Sequence, residues 1–157
     1  MNEITPLPAI DTLLPHQAPM LLLDRFCAVD ASRACCETRV GARHALLLDG
    51  EGNLPGWVGI ELMAQTIAAW AGMQGRLRGE PVRIGMLLGT RKHRCQPTSF
   101  AVGALLTIEA SCLLQDGGMA SFECRILQDG RECATARLST YQPAPGELSD
   151  LLAKDVS

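Results

Sequence analysis

Apolar and polar residues alternate along most of the second half of the chain. This period of two is typical of strands with one buried face, and it covers residues 105–114, 119–127 and 133–141. Between these stretches, Gln-Asp-Gly-Gly (115–118) and Gln-Asp-Gly-Arg (128–131) are typical of tight hairpin turns. The pattern therefore predicts three consecutive antiparallel strands, with an apolar strand over 82–88 before them.

Two further strands are predicted in the first half of the chain. Residues 20–29 and 34–40 are mostly apolar, and Asp30-Ala31-Ser32 between them suits a short turn. A short helical pattern precedes them at 9–14, and the Gly-, Asp- and Asn-containing segment 41–56 has the composition of a loop.

The segment 57–76 is apolar on every side of a helix and contains no proline. Pro55 suits its start, and Gly75 and Gly79 suit its end. The length would fit a membrane span. However, four polar side chains interrupt the segment (Glu61, Gln65, Thr66 and Gln74), which favours a helix enclosed by other parts of the protein.

Two strands, one buried helix and four more strands predict an α+β fold, in which an antiparallel sheet curls around a long central helix. The chain has 157 residues, the size of one ordinary domain. We therefore expect a single domain over 1–157, with its core at about 12–142 and a Pro-rich C-terminal tail after it.

Composition excludes several classes of function. The hydrophobic fraction of 47% excludes a disordered chain, and the net charge of −3 provides no field for nucleic acid. The seven cysteines include no Cys-x-x-Cys pair, so neither a disulfide framework nor a metal site is expected. The first residues lack the pattern of an export signal, and we expect a cytoplasmic protein that is not inserted in a membrane.

The cations are unevenly distributed. Six of the 14 lie between residues 76 and 94, where Glu80 is the only acid. This cluster, which includes Arg83, Arg91, Lys92 and Arg94, is either an ordinary solvated surface or a docking patch for an acidic partner.

Glu61 is the first candidate for chemistry, because it is the only acid in the predicted helix. A carboxyl group that apolar surroundings keep neutral can donate a proton to a leaving group. The alternative is an exposed first-turn glutamate that the helix dipole favours. Gln65 lies one turn later on the same face, where it would orient Glu61 or satisfy a buried backbone group.

The start of the helix and two histidines complete the candidate set. The first helical amides are unsatisfied donors, and Gly56 and Gly59 beside them would let a substrate approach the backbone. His16 and His44 flank adjoining ends of the first predicted hairpin, so both can lie at the opening of one pocket. We assign His93, within the basic run, to the surface.

Two motifs give this chain a family resemblance. Residues 14–25, LPHQAPMLLLDR, resemble the Leu-Pro-His-x-x-Pro segment of FabZ-like 3-hydroxyacyl-[acyl-carrier-protein] dehydratases. Residues 54–65, LPGWVGIELMAQ, resemble the Pro-Gly-x-x-x-x-Glu-x-Met-Ala-Gln helix of the same family. With Trp57, Trp70 and 87–91 (LLGTR), the match is similar to the aryl-polyene-pathway, ApeP-type branch, and it extends over about 12–142.

The resemblance implies a hot-dog fold, a homodimer and an active site without a cofactor or metal. It implies an active site at the dimer interface and β-elimination of water, in which a histidine removes the α-proton and a glutamate from the other subunit, here Glu61, protonates the departing 3-hydroxyl. Gly56, Trp57, Gly59 and Gln65 would then bind substrate. Acyl carrier proteins are acidic, so the cluster with Arg83, Arg91, Lys92 and Arg94 becomes their expected docking patch.

The family's usual base does not carry over. It lies in a Gly-His-Phe-Pro segment, where this chain has Leu-Asp-Gly-Glu-Gly-Asn (48–53). His44 and His16 remain the candidates. Three hypotheses follow: a dehydratase in fatty-acid or aryl-polyene-type synthesis, a hot-dog thioesterase that releases a free acid, and a degenerate partner subunit of another dehydratase.

Overall fold

Eight strands, two α-helices and two short 3₁₀-helices (Ile10–Thr12 and Ala42–His44) form the secondary structure of the described residues. A computed structural model describes residues 7–83, 85–96, 98–144 and 146–154. The strands are β1 (Arg25–Val29), β2 (Arg33–Arg39), β3 (Leu54–Pro55), β4 (Met86–Cys95), β5 (Ser99–Phe100), β6 (Leu105–Asp116), β7 (Met119–Gln128) and β8 (Arg131–Tyr141). The helices are α1 (Val58–Leu77) and α2 (Glu147–Lys154).

Six strands form one antiparallel sheet in the order β1-β2-β6-β7-β8-β4, and α1 packs on one face of it. Buried and more exposed positions alternate along β2, β6, β7 and β8. The inward side chains meet those of α1 in one apolar cluster that contains Leu62, Met63, Ile108, Ile126 and Leu138. A long helix on an antiparallel sheet confirms the predicted α+β class.

The hairpins of the second half confirm the alternation argument. β6, β7 and β8 begin and end within about two residues of the predicted strands. Their connections are shorter than expected, with only two residues each: Gly117-Gly118 and Asp129-Gly130. All four have positive φ angles, between 49° and 89°, which is the backbone conformation of the two-residue turn that matches strand twist.

Two predicted strands in this sheet were misplaced. Residues 20–24 are not part of β1, although Leu21, Leu22 and Leu23 are buried. The fourth strand covers 86–95 rather than 82–88. Nearly all of β4 is exposed, so the hydrogen-bonded ladder to β8 stabilises it and no apolar pattern marks it.

The C-terminal tail and the loop before α1 also differ from expectation. The tail contains α2, and Glu147 at its start accepts hydrogen bonds from the Tyr141 hydroxyl and the Ala144 amide. The loop 41–56 ends in β3, which pairs with β5 as a separate two-stranded sheet. Two residues per strand are too few to show the alternation of apolar and polar residues that predicts a strand.

The N-terminal segment lies across the last turns of α1. A Cβ atom at Gly72 would overlap the backbone carbonyl of Leu13, so only glycine permits this close approach. No helix in the described parts of the chain has the length and hydropathy that crossing a membrane requires.

One face of α1 is not enclosed, which corrects the expectation of a helix buried on every side. Ile60, Glu61, Ala64, Ala68 and Ala71 are only partly buried in this chain. These residues recur at helical spacing, so they form a continuous stripe. The candidate site lies on this stripe.

Candidate active site

A cavity of about 150 Å³ lies over the partly buried face of α1. Glu61 and His16 line one part of it, and Ala64, Ala68 and Ala71 lie along the helix. The remaining wall is formed by the start of β4 and the end of β8. Three alanines in this stripe leave the space that larger side chains would fill.

Glu61 and His16 face each other in this cavity. The distance from His16 Nε2 to Glu61 Oε1 is 3.6 Å, and the two side chains are 30% and 40% exposed. That separation exceeds a hydrogen bond, so the two groups are adjacent without being joined. His16 Nδ1 is buried and has no hydrogen-bond partner among the described residues. The expectation of an enclosed Glu61 is therefore wrong for this chain alone, but the carboxyl group does line a cavity.

Gln65 fixes the orientation of Glu61. Its side chain is fully buried, and its Nε2 donates to Glu61 Oε1 at 3.0 Å and to the Met20 carbonyl at 2.8 Å. Its Oε1 accepts from the Leu22 amide at 2.9 Å. Gln65 therefore fills both roles considered from sequence: it orients the acid and it satisfies buried backbone groups of the segment before β1.

His44 lies in a different environment, and it does not line this cavity. Its side chain is buried, 1% exposed, and its Nε2 donates to the Leu22 carbonyl at 2.9 Å and approaches Thr38 Oγ1 at 3.1 Å. Its Nδ1 accepts from the Gly41 amide at 3.3 Å. Both ring nitrogens thus form hydrogen bonds that hold the loop after β2. His44 and His16 therefore do not lie at the opening of one pocket, as the sequence had led us to expect.

The residues at the start of α1 also differ in their environments. Trp57 is 65% exposed and no side chain caps the helix, whereas Val58 in the first turn is buried. A Cβ atom on Gly59 would lie 3.1 Å from Ile126 Cδ1, which shows that Gly59 faces the core rather than a substrate. Gly56 is buried and donates to the Thr98 carbonyl at 2.9 Å.

The four cations that we expected to form a docking patch lie in two different places. Arg91, Lys92 and Arg94 are exposed on β4 and form no ion pair with any described residue. Arg83 instead lines the cavity and hydrogen-bonds to Gln142. Sequence analysis did not identify Gln142, because nothing local distinguishes it.

Neither a metal nor a thiolate is indicated at the site. Among the described residues, no group of three or more His, Cys, Asp or Glu side chains could hold a metal ion. Burial raises the pKa of the Cys36 thiol to about 12, and it does the same for Cys124. Both cysteines belong to the apolar cluster under the sheet.

Comparison with known proteins identifies the family. A model of the ApeP-like family, described as ApeP dehydratase, matches residues 8–153. A chain of the dehydratase heterocomplex ApeI:P from Xenorhabdus doucetiae is 40% identical, with a TM-score of 0.88, over 94% of this chain and 99% of that one. No curated protein matches.

More distant solved structures share the fold alone. The PaaI protein of the Escherichia coli phenylacetic acid degradation operon is 16% identical, with a TM-score of 0.58, over 74% of this chain and 80% of that one. A hypothetical thioesterase from Streptococcus pneumoniae with coenzyme A is 16% identical, with a TM-score of 0.56, over 76% and 88%. The chain has the hot-dog fold that its motifs implied, and it belongs to the ApeP-like family of dehydratases.

Proposed function

We propose that this dehydratase removes water from 3-hydroxyacyl thioesters on an acyl carrier protein, giving trans-2-enoyl thioesters for an aryl-polyene-type or fatty-acid synthesis. The observation that carries the proposal is the pair of Glu61 and His16, 3.6 Å apart in one cavity. An acid and a base at that separation are placed to act on adjacent carbon atoms, and here both come from one chain rather than from two subunits as the resemblance implied.

The proposed elimination uses one proton transfer from each group. His16 Nε2 takes a proton from C2, the electrons of that C–H bond form the C2–C3 double bond, and the C3–O bond breaks. The carboxylic-acid form of Glu61 donates a proton to the departing oxygen, which leaves as water. Because the two side chains are adjacent, the proton on His16 can return to Glu61 and complete the cycle.

Two features assist this reaction in the proposal. Gln65 holds Oε1 of Glu61, and no described residue bonds to the other carboxyl oxygen, which is left for the substrate. The thioester oxygen gains charge when C2 loses its proton. The Gly59 and Ile60 amides already donate to the Gly56 and Trp57 carbonyls, so in the proposal the preceding amides, of Trp57 and Val58, would stabilise it. Trp57 and Gly56 border that start.

The carrier protein would dock on β4. Arg91, Lys92 and Arg94 are exposed there, and Met86 and Leu87 of the same strand line the cavity. Positive charge next to the cavity mouth would steer an acidic carrier and its substrate to the site.

Docking can be tested with charge reversal. Replacing Arg91, Lys92 and Arg94 with Glu should raise the KM for a carrier-bound substrate about tenfold and weaken its salt dependence. The KM for a pantetheine-bound substrate should not change. Arg131→Glu, an exposed cation at the turn between β7 and β8, is the matched control. Equal effects on both substrates would contradict docking on β4.

A second subunit would complete the assembly. β4 is an edge strand that pairs only with β8 among the described strands, and its start exposes Leu87 and Leu88, whereas the docking cations lie toward its end. Unpaired edges with apolar residues favour pairing with another chain. We propose a homodimer, or a heteromer with a second hot-dog dehydratase as in the related heterocomplex. No described cysteine forms a disulfide, which suits the proposed cytoplasmic location.

The decisive experiment is mass spectrometry of a carrier-bound 3-hydroxyacyl chain after incubation with the purified protein. Loss of one water from the carrier-bound chain supports the proposal, and Glu61→Gln should abolish that loss. Release of the free 3-hydroxy acid would indicate a thioesterase. Dehydration only after a second hot-dog protein is added would favour the partner-subunit hypothesis, for which the heterocomplex is the specific support.

A further inference from the structure

A second cavity continues from the first along α1. Its volume is about 240 Å³, and its inner wall contains Trp70 and Phe122, whose rings meet edge to face with centroids 5.4 Å apart. The two cavities share five lining residues: Ile67, Ala71, Arg83, Thr140 and Gln142. The boundary between the cavities is therefore formed by these side chains, three of which are polar.

Arg83 and Gln142 form a hydrogen-bonded bridge at this boundary. Arg83 Nη2 donates to Gln142 Oε1 at 3.1 Å, and Nη1 donates to the Pro143 carbonyl at 3.4 Å. The same guanidinium lies 3.7 Å from Glu80 Oε2. The Gln142 amide donates to the Gly118 carbonyl at 2.9 Å, which fixes its backbone to the turn after β6.

We propose that the Arg83–Gln142 bridge is the gate that sets acyl-chain length, because it closes the first cavity and keeps the chain end out of the second. This inference rests on the proposed function, since it assumes that the first cavity holds an acyl chain. It assigns Arg83 a role in specificity instead of carrier docking.

The polarity of the bridge and the length of the first cavity both support a gate. From Glu61 to Ala71 the cavity follows α1 for about 15 Å, at the helical rise per residue. A chain that fits within this run buries its carbons against alanines. A longer chain must press its end against a guanidinium group or break the bridge, and burying polar groups without their partners is costly. Beyond the bridge, Trp70, Phe122 and Ala120 form the apolar part of the second cavity, whose lining also contains Arg78, Gln115 and Glu147.

The test compares 3-hydroxybutyryl and 3-hydroxytetradecanoyl chains on the same carrier protein. The ratio of their kcat/KM values cancels any effect of a variant on docking. Arg83→Ala and Gln142→Ala should each raise the long-to-short ratio roughly tenfold, the scale on which a pocket discriminates chain length. Arg131→Ala, which removes an exposed cation outside both cavities, should leave the ratio unchanged.

A filled second cavity should reverse the effect. Ala120 lines only the second cavity, so Ala120→Phe in the Arg83→Ala background should return the ratio to the wild-type value. If the ratio stays constant in both single variants, or if Ala120→Phe fails to reverse it, the gate is excluded.

Binding without chemistry separates the gate from the proposed reaction. In a Trp57→Phe background, Trp70 is the only tryptophan, and it lies in the second cavity. Tetradecyl-pantetheine thioether should change its fluorescence in Arg83→Ala but not with Arg83 intact. Equal responses, or no response in either protein, would overturn the gate. Failure of the proposed function would instead appear as absent dehydration with both chain lengths.

Discussion

The two histidines that the sequence places near each other lie in opposite environments. The region around His44 is closed: the ring is buried, and both nitrogens hydrogen-bond to groups within the chain. The region around His16 is open: Nε2 faces a carboxyl group across a cavity, and Nδ1 has no partner in the described structure. An imidazole whose nitrogens are both occupied stabilises structure, whereas one with an available nitrogen can transfer protons.

The two regions are linked through the backbone of Leu22. Its carbonyl accepts from His44 Nε2 and from the Thr38 hydroxyl, and its amide donates to Gln65. Gln65 in turn holds Glu61 beside His16. The closed region therefore positions the open one, and variants along this path should move stability and turnover in different proportions.

The largest effect on turnover should come from Glu61→Gln, which keeps the side-chain shape but removes the proton donor. We expect kcat/KM to fall about a hundred- to ten-thousandfold, with the urea unfolding midpoint unchanged. Steady-state kinetics with a 3-hydroxyacyl substrate provides the measurement. Glu51→Gln, an exposed carboxylate in the loop before α1, is the control. Near wild-type turnover in Glu61→Gln would remove Glu61 from the mechanism.

His16→Ala should have the next largest effect, about a hundredfold on kcat, again with little change in stability because the side chain is partly exposed. The cavity gives access to solvent, so added imidazole should restore part of the activity. Kinetics with and without imidazole tests both statements. If His16→Ala retains full activity, the contrast between the histidines does not describe catalysis.

Gln65→Met should affect both regions, because the variant loses the contacts to Glu61, Met20 and Leu22 together. The Leu22 amide remains buried without its partner, which costs about 1–3 kcal/mol of the free energy of unfolding. We expect kcat to fall roughly tenfold, since Glu61 keeps its chemistry but loses its orientation. Urea titration and kinetics on the same sample separate the two effects. Loss of stability with unchanged kcat would confine Gln65 to a structural role.

Much of this molecule could be predicted from local pattern. The ends of α1 fall one residue from the predicted 57–76, because a long apolar segment between Pro55 and Gly79 has few other solutions. The strands β6 to β8 alternate because one face packs on α1, and their turn residues identify the connections. In both cases the signal lies within a dozen neighbouring residues.

The features that could not be predicted from the sequence depend on partners that are distant in sequence. Residues 21–24 look like a strand, but the polar backbone of Leu22 is satisfied by side chains 16 to 43 residues away. β4 has no buried face, so only its pairing with β8 identifies it as a strand. Glu61 was proposed because it is the only acid in an apolar helix and because it matches the family motif, whereas the preference for His16 over His44 depends on which ring nitrogens are already engaged.

His44→Ala should have the smallest effect on turnover and a clear effect on stability. The variant leaves the Gly41 amide without its acceptor and opens space beside Thr38, so we expect a loss of about 1–3 kcal/mol in the free energy of unfolding. The Leu22 carbonyl keeps its bond from the Thr38 hydroxyl, so Gln65 and Glu61 stay in place and kcat should remain within about twofold. Urea unfolding and kinetics below the transition provide the measurement. Imidazole should not stimulate this variant, because the vacated site does not open into the substrate cavity. A large fall in kcat that imidazole restores would reverse the assignment and make His44 the base.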